Sequence, residues 1–247
     1  MKMKNILFTI AIILVLLSCE QKPEIRRNPS VSGRVSRVSG NRQSAQPRIE
    51  TPSQPNGRIA SELSGADIFS RYNSAVFMVY TSDGLNNYQG SGFFISPNGT
   101  AVSNYHVFKG TTRGYEVIKL YNGETFKIKE IIAQNEDEDI FIFKIELNQQ
   151  QVNYISIASQ TPRVGEKAYA IGSPRGLENT FSSGEISQLR GDNIIQITVP
   201  IDHGSSGGAL LNSKGEAIGI TTAGVDDSGA NLNFAVNIRV ISRYLGY

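Results

Sequence analysis

The sequence predicts an all-β fold for its C-terminal part, and three observations support this prediction. Short strand-like runs recur along this part of the chain, and turn signals such as Asn122-Gly123 and Lys214-Gly215 separate them. The 181 residues from 67 to 247 contain no cysteine, so a hydrophobic core rather than disulfides must stabilise them. A chain of this length buries roughly 70% of its unfolded surface. That core is large enough for a β-sandwich or for a pair of β-barrels.

The N-terminal segment has the composition of an export signal. Two lysines precede an apolar run from Ile6 to Leu17, which is shorter than the about 20 residues that a membrane span needs. The sequence Leu16-Leu17-Ser18-Cys19 resembles the bacterial lipobox. This resemblance implies a lipoprotein signal peptide at residues 1–18, lipidation of Cys19, and a membrane-anchored protein of the bacterial cell envelope, periplasmic or surface-exposed. A free cysteine at the end of a membrane anchor is the alternative.

Residues 19–64 have the composition of a linker. They are rich in Ser, Pro, Arg, Gln and Asn and show no hydrophobic period. Residues 1–66 carry 10 Lys and Arg against 4 Asp and Glu, whereas the remainder carries 14 against 18. A solvated, disordered spacer is the plainer interpretation, and contact with anionic lipid head groups is the alternative. The acidic remainder argues against nucleic-acid binding.

The predicted domain, residues 65–247, begins with a helix. Ser64 and Asp67 have the spacing of a capping box, and Ile68, Phe69 and Tyr72 share one helical face. The pattern of the following segments predicts strands at Ala75–Tyr80, Gly92–Ile95, Thr100–Tyr105, Val117–Tyr121, Phe126–Ala133, Ile140–Ile145, Lys167–Ile171, Asn193–Val199 and Ala217–Thr222.

The segment Asp202–Ala209 has the composition of a nucleophile loop. It places Ser206 among Gly204, Gly207 and Gly208, immediately before an apolar strand. A serine hydroxyl needs a base within hydrogen-bond reach and backbone N–H groups aimed at the developing oxyanion. Glycines allow consecutive N–H groups to form such a concavity. A hairpin loop is the alternative interpretation of the same Gly/Ser cluster.

The base and its orienting carboxylate must come from elsewhere in the chain. The sequence contains two histidines, and His203 lies too near Ser206 on the same turn to serve well. His106 follows a strand-like segment, where a loop can present it, although a histidine near an apolar strand can also be purely structural. Asp139 begins the apolar run Ile140–Ile145, so it can be desolvated beside a histidine. Its acidic neighbours, residues 136–138, are expected to form a solvated loop.

Several segments, in order, resemble trypsin-like serine proteases of the HtrA (Deg) type. The resemblance covers about residues 66–247, and His106, Asp139 and Ser206 follow the chain order of chymotrypsin-like barrels. The segments that carry it are Gly90–Ile95, Ser103–Val107, Asp139–Ile140, Ala170–Leu177, Ser183–Ser187, Gly204–Leu210, Ala217–Ala223 and Asn233–Val236.

The resemblance implies two six-stranded antiparallel β-barrels with the site between them, and a short C-terminal helix. His106 becomes the general base, Asp139 its orienter and Ser206 the nucleophile, with the backbone N–H groups of Gly204 and Ser206 as oxyanion hole. The substrate pocket is expected to be shaped by Pro200, Ile201, Gly224 and Val225. No acidic residue stands at the pocket-floor position, Pro200, so the expected preference is for small or medium apolar side chains before the scissile bond.

The chain also departs from the family pattern. Asp202-His203 stands where the family usually has Pro before the glycine, and Ser205 replaces its usual Asn. The sequence ends after the terminal helix, so no PDZ domain is expected, and whether the protein forms the trimer common in the family stays open. These departures leave two hypotheses. One is an endopeptidase acting on unfolded or extended proteins in envelope quality control, and the other is a proteolytically silent barrel that binds peptides or a partner.

Neither a metal nor a cofactor is expected. One cysteine and two histidines, one of them assigned to the triad, are too few for a usual zinc site. The acidic clusters Glu136–Asp139 and Asp226-Asp227 lack the spacing of a calcium loop. Gly90-Ser91-Gly92 lacks the lysine and the following helix of a phosphate-binding loop.

Overall fold

A computed structural model describes residues 62–247, with the exception of 149, 174–178, 226–231 and 247 and of the side chains of 223–225. Cys19 and the predicted signal peptide therefore lie outside the described residues, as does nearly all of the predicted linker. Within the described part of the chain, no helix combines the length and the hydropathy needed to cross a membrane.

The first helix, α1 (Gly65–Tyr72), begins where the sequence predicts it. Ser64 Oγ accepts a hydrogen bond from the backbone N–H of Asp67 at 3.1 Å, and an Asp67 carboxylate oxygen accepts the Ser64 N–H at 3.3 Å. This reciprocal capping box satisfies two backbone donors that the helix itself leaves unpaired. Ile68 is fully buried, so the helix packs its apolar face on the domain.

The N-terminal half of the domain is a curled antiparallel sheet. Its strands follow the order β5-β4-β1-β2-β3-β7-β6. Lys127 is the only residue between β5 and β6, the two edge strands, so the chain itself joins the edges of the sheet. Counted as one bent strand, β5 and β6 give the six strands that the resemblance implies. The strands are β1 (Val76–Ser82), β2 (Asn87–Phe94), β3 (Thr100–Ser103), β4 (Val117–Lys119), β5 (Thr125–Phe126), β6 (Ile128–Asn135) and β7 (Ile140–Ile145).

The C-terminal half closes into a six-stranded barrel, in the order β10-β13-β12-β11-β8-β9. A 3₁₀ turn at Ile238–Ile241 and the short helix α2 (Ser242–Leu245) follow the barrel. This closure confirms the predicted all-β class. The strands are β8 (Lys167–Gly172), β9 (Thr180–Arg190), β10 (Ile194–Ile197), β11 (Ala209–Leu211), β12 (Ala217–Val225) and β13 (Leu232–Asn237).

The buried side chains of the described residues form three hydrophobic clusters. One lies inside the first barrel and is rich in phenylalanine, with Phe108 and Phe141 stacked at 4.0 Å between ring centroids. Another fills the second barrel with smaller aliphatic side chains. The third contains buried residues of both barrels, among them Phe93 and Ile142 from the first and Ile171 and Leu211 from the second. Because this shared core is continuous, the two barrels are held as one packed unit, which fixes the loops between them.

The predicted strand boundaries are wrong in several places. Val117–Tyr121 and Asn193–Val199 are each shortened to a smaller strand, and Phe126–Ala133 is divided between β5 and β6. β9, the longest strand, was not predicted as a strand because its sequence is mostly polar. Its backbone groups are paired with β8 on one side and β10 on the other, so strand pairing rather than hydrophobic alternation specifies it.

Candidate active site

Two adjacent strands of the first barrel bring His106 and Asp139 together. His106 lies in the 3₁₀ turn Tyr105–Val107 that follows β3, and Asp139 immediately precedes β7. Ser103 of β3 pairs with Phe141 of β7, so both residues leave the sheet at the same end. His106 Nδ1 lies 3.0 Å from Asp139 Oδ1 and 2.9 Å from Oδ2. A carboxylate accepts the proton of Nδ1–H, which leaves Nε2 with a free lone pair.

The backbone of Asp139 is held in a conformation that a non-glycine residue rarely adopts. Its φ is 52°, in the left-handed region. Asn104 Nδ2 donates to the Asp139 carbonyl at 3.0 Å, and the backbone N–H of His106 donates to Oδ1 at 2.9 Å. Thr222 Oγ1 makes a longer contact of 3.4 Å with Oδ2. These contacts hold Asp139 in this conformation and orient its carboxylate toward the imidazole.

The His106–Asp139 pair is partly solvated. The side chains are 43% and 27% exposed. Asp139, which the sequence analysis expects to be desolvated beside a histidine, is the more buried of the two, because it immediately precedes the buried strand β7.

Ser206 lies on a tight loop of the second barrel, and this loop is packed against the first barrel. Ser206 is 8% exposed. Gly204 and Gly207 have φ of 92° and 91°, which glycine adopts without a steric penalty. A side chain at Gly207 would collide with the carbonyl oxygen of Ser91. The backbone N–H of Ser91 donates to the Ser206 carbonyl at 2.8 Å, so the central strand β2 supports the loop directly.

Two amides of the loop have no acceptor within the part of the chain that the structure describes. The N–H groups of Ser205, Gly207 and Gly208 donate to backbone carbonyls at 2.8–3.0 Å. Among the described residues, the N–H groups of Gly204 and Ser206 make no hydrogen bond. These are the two donors that the family resemblance implies for an oxyanion hole.

The residue after His106 and the backbone of Ser206 both pack against Gly90. A Cβ atom added at Gly90 would lie 2.6 Å from Val107, the neighbour of His106, and 3.2 Å from the Ser206 carbonyl oxygen. Within the described residues, no hydrogen bond joins the Ser206 hydroxyl to the imidazole. Catalytic hydrogen bonds are often long without substrate and tighten when it binds.

A cavity of about 550 Å³ opens beside the loop. Pro200 and Ile201, which the family resemblance assigns to the substrate pocket, line it. Gly224 and Val225 are the last residues of β12. Their contacts lie outside what the structure describes. Asp202 and His203 also line the cavity. The sequence analysis treats these two residues as departures from the family pattern and does not assign them to the pocket. Their position just before Gly204 is the sequence signal that could have placed them there.

The chain is similar to known peptidases in sequence and in fold. Residues 90–220, more than half of the chain, match the family model described as "Trypsin-like peptidase domain". The chain belongs to the trypsin-like peptidases. The domain shares a TM-score of 0.66 and 27% identity with the serine endoprotease from Yersinia pestis, covering 75% of this chain and 66% of that one. It shares a TM-score of 0.64 and 28% identity with the HtrA-type protease AlgW with tripeptide, covering 74% and 62%.

Curated relatives of this trypsin-like peptidase are longer proteins. Protease Do-like 1, chloroplastic, of Arabidopsis thaliana is 34% identical over 61% of this chain and 36% of its own length. A probable periplasmic serine endoprotease DegP-like of Rhizobium meliloti is 33% identical over 61% of this chain and 31% of its own length. The chain thus aligns with about a third of the length of these relatives.

The acidic loop before Asp139 is less exposed to solvent in this trypsin-like peptidase than the sequence predicts. Glu138 was expected to be solvated with its neighbours, but its side chain is only 10% exposed. It forms an ion pair with Arg243 at 2.7 Å and accepts a hydrogen bond from Tyr244 Oη at 2.7 Å. Both partners belong to α2, more than 100 residues away in sequence, so no local pattern could have indicated the contact.

No cluster that could hold a metal ion is found among the described residues. Three or more His, Cys, Asp or Glu side chains do not converge anywhere in this part of the chain.

A larger cavity of about 660 Å³ lies elsewhere on the second barrel, between Glu62, Arg163 and Lys214, and includes none of the candidate catalytic residues.

Proposed function

We propose that this chain is a serine endopeptidase that uses Ser206, His106 and Asp139 as its catalytic triad. The observation that carries the proposal is the contact of 2.9–3.0 Å between His106 Nδ1 and the Asp139 carboxylate. An imidazole whose Nδ1–H is held by a carboxylate is oriented, and its Nε2 is available to accept a proton. The relatives named as serine proteases and endoproteases support the same activity.

The proposed reaction begins with attack of Ser206 Oγ on the substrate carbonyl carbon. The proton of the hydroxyl passes to His106 Nε2, and Asp139 stabilises the imidazolium without taking the proton. The N–H groups of Gly204 and Ser206 donate to the oxyanion of the tetrahedral intermediate. His106 then returns the proton to the leaving amine, and the peptide bond breaks. Water next attacks the acyl carbon and gives its proton to His106 Nε2, and the ester bond to Ser206 breaks as Oγ takes that proton back and the carboxylic acid product leaves.

We further propose a preference for small or medium apolar side chains before the scissile bond. Pro200, Ile201 and Ala170 give the cavity apolar surface. Two of its hydroxyl groups already donate to backbone carbonyls, that of Ser182 to Pro200 at 2.9 Å and that of Thr221 to Ser205 at 2.7 Å. These two hydroxyl groups are therefore already paired, and Asp202 and His203 are the ionisable residues in the lining. Efficient cleavage after Lys or Arg in a peptide library would contradict this preference.

We also propose that the protein works in the bacterial envelope, anchored through a lipid on Cys19, and acts there on unfolded or extended proteins. The lipobox resemblance supports the anchor, and the relatives named as periplasmic support the compartment. Metabolic labelling with palmitate tests the anchor. The wild type should incorporate the label, whereas Cys19→Ser should not and should leave the membrane fraction.

A serine-directed fluorophosphonate tests the activity. It should modify the wild type at Ser206, as located by mass spectrometry, and should spare Ser206→Ala. His106→Ala should react far more slowly because the base is absent. Ser159→Ala, on an exposed loop, is the matched control and should react like the wild type. A folded wild-type protein that is not modified would contradict the proposal and favour the proteolytically silent, peptide-binding barrel.

A further inference from the structure

The side chain of Thr221 contacts the nucleophile loop from beneath. Thr221 lies on β12 and is 1% exposed. Its Oγ1 donates a hydrogen bond of 2.7 Å to the carbonyl oxygen of Ser205, which also accepts the Gly208 N–H at 2.9 Å. The backbone of Thr221 pairs with the same loop, because its N–H donates to Gly208 and its carbonyl accepts from Gly207.

The Ser205 carbonyl determines the direction of the Ser206 amide. A peptide unit is planar and trans, so the N–H of one residue points opposite to the carbonyl of the residue before it. The Thr221 hydroxyl on β12 and the Gly208 N–H both donate to the Ser205 carbonyl and hold it toward β12. The Ser206 N–H therefore points away from the barrel, where it makes no hydrogen bond among the described residues.

Other contacts of the loop act on a different peptide unit. Ser91 Oγ donates to the Gly204 carbonyl at 2.7 Å. That carbonyl shares its peptide with the Ser205 N–H, which is already bonded to the Asp202 carbonyl at 3.0 Å. Among the described residues, Thr221 is thus the side chain that hydrogen-bonds to the peptide carrying the Ser206 amide.

We propose that Thr221 is a positioning residue, whose hydroxyl orients the Ser206 N–H toward the oxyanion. This inference rests on the proposed peptidase function. The hydroxyl does not touch substrate in this role and acts only through the Ser205–Ser206 peptide. Its loss leaves the Gly208 N–H alone on the Ser205 carbonyl, so the peptide can rotate and the amide is less well aimed in the transition state.

Thr221→Val tests the proposal because valine has nearly the same shape and lacks the hydroxyl. Thr221→Ser keeps the hydroxyl and serves as the rescue variant. We expect kcat on an apolar peptide substrate to fall about tenfold in Thr221→Val, less than the 10²–10³ seen when an oxyanion donor is removed altogether. KM should change by less than about twofold, since substrate and pocket shape are unchanged. Thr221→Ser should keep kcat within about threefold of the wild type.

Thr100→Val is the control. Thr100 is also a strand threonine, at the start of β3 and so at the other end of that strand from His106, and it donates its hydroxyl to Asn98 Oδ1 at 2.9 Å. The variant removes one threonine hydrogen bond from the first barrel, and kcat should stay within about twofold of the wild type. Should Thr221→Val fail to fold, as judged by circular dichroism, Thr221→Ala compared with Thr221→Ser supplies the same comparison.

The outcomes separate this inference from the proposed function. A wild type that is not modified by fluorophosphonate overturns the peptidase proposal itself. An active wild type with unchanged kcat in Thr221→Val overturns only the role of Thr221. A rise in KM alone would assign Thr221 to the substrate pocket, and an equal loss in Thr221→Ser would assign it to packing, so each of these results also overturns the inference. The pH profile of kcat/KM should be unchanged, because Thr221 does not contact His106 or Asp139.

Discussion

Tyr244 donates a hydrogen bond of 2.7 Å to Glu138 and thereby ties the C-terminal helix α2 to the residue that precedes Asp139. Arg243 forms an ion pair with the other oxygen of the same carboxylate at 2.7 Å. Asn135 donates to the Tyr244 hydroxyl at 3.0 Å. The Glu138 carboxylate, which accepts this hydrogen bond, raises the pKa of Tyr244 above its ordinary value. The end of the chain thus fastens the second barrel to the acidic loop of the first.

Tyr244→Phe should lower the thermal stability of the domain. It removes the hydroxyl that links Glu138 and Asn135 and leaves the nearly buried Glu138 carboxylate with one partner fewer. We expect the melting temperature to fall by about 3 °C, measured by calorimetry. Tyr121→Phe, at an exposed tyrosine of the first barrel, is the control and should melt like the wild type. An unchanged melting temperature in Tyr244→Phe would show that Arg243 alone holds the loop.

Gly207→Ala should abolish the native loop, whereas Gly123→Ala should be tolerated. Both glycines have positive φ, 91° and 86°, so each substitution carries the same kind of backbone strain, about 1 kcal/mol. Only at Gly207 does the added Cβ collide with backbone, at the Ser91 carbonyl, because nothing lies within 4 Å at Gly123. We expect Gly123→Ala to retain fluorophosphonate labelling and Gly207→Ala to lose it. Labelling of Gly207→Ala at the wild-type rate would contradict the tight packing of the loop on β2.

Asp83 should make the stability of the domain depend on pH in the acid range. Its carboxylate accepts hydrogen bonds from the backbone N–H groups of Asn86 and Leu85, from the Asn86 amide and from the Tyr88 hydroxyl. These bonds hold the pKa of Asp83 well below its ordinary value of 3.8. A group whose pKa is lower in the folded state than in the unfolded state stabilises the folded protein at pH values above the unfolded-state pKa. This stabilisation is lost as the pH falls toward the folded-state pKa.

Urea denaturation of the wild type and Asp83→Asn at several pH values measures this contribution. The difference in unfolding free energy between them should be constant at neutral pH and should shrink as the pH falls below 3.8. Tyr88→Phe removes only one of the donors and should weaken the effect without eliminating it. A difference that stays constant down to the acid limit would contradict the assigned hydrogen bonds.

The sequence predicts best those features that local patterns encode. The apolar run of β7, Ile140–Ile145, is observed with its predicted bounds, because a strand buried among neighbours must be apolar along its length. The Ser64 capping box is likewise a local signal. Contacts between distant segments leave no such pattern. Glu138 finds its partners on α2, and Thr221 finds the Ser205 carbonyl, only after the barrels have packed.

Ser91→Ala should weaken both the stability and the proposed activity of the domain. The buried Ser91 hydroxyl donates to the Gly204 carbonyl at 2.7 Å and accepts the Ser173 N–H at 2.9 Å. Alanine leaves both backbone groups without this partner, and each unsatisfied buried group costs about 1–3 kcal/mol. We expect the free energy of unfolding in urea to fall by about 2 kcal/mol and the rate of fluorophosphonate labelling at Ser206 to fall with it.

Ser103→Ala separates the bridging role of Ser91 from a general loss of buried hydroxyls. Ser103 Oγ is also buried and donates one hydrogen bond, of 2.7 Å, to the Ser91 carbonyl. It hydrogen-bonds to neither Gly204 nor Ser173, although it lies against Gly207, so its loss removes one bond from β2 and leaves the Ser91 bridge in place. Labelling should therefore slow less in Ser103→Ala than in Ser91→Ala. Equal losses would mean that the loop depends on the position of β2 rather than on the Ser91 hydroxyl, since both variants disturb the strand and only one removes the bridge.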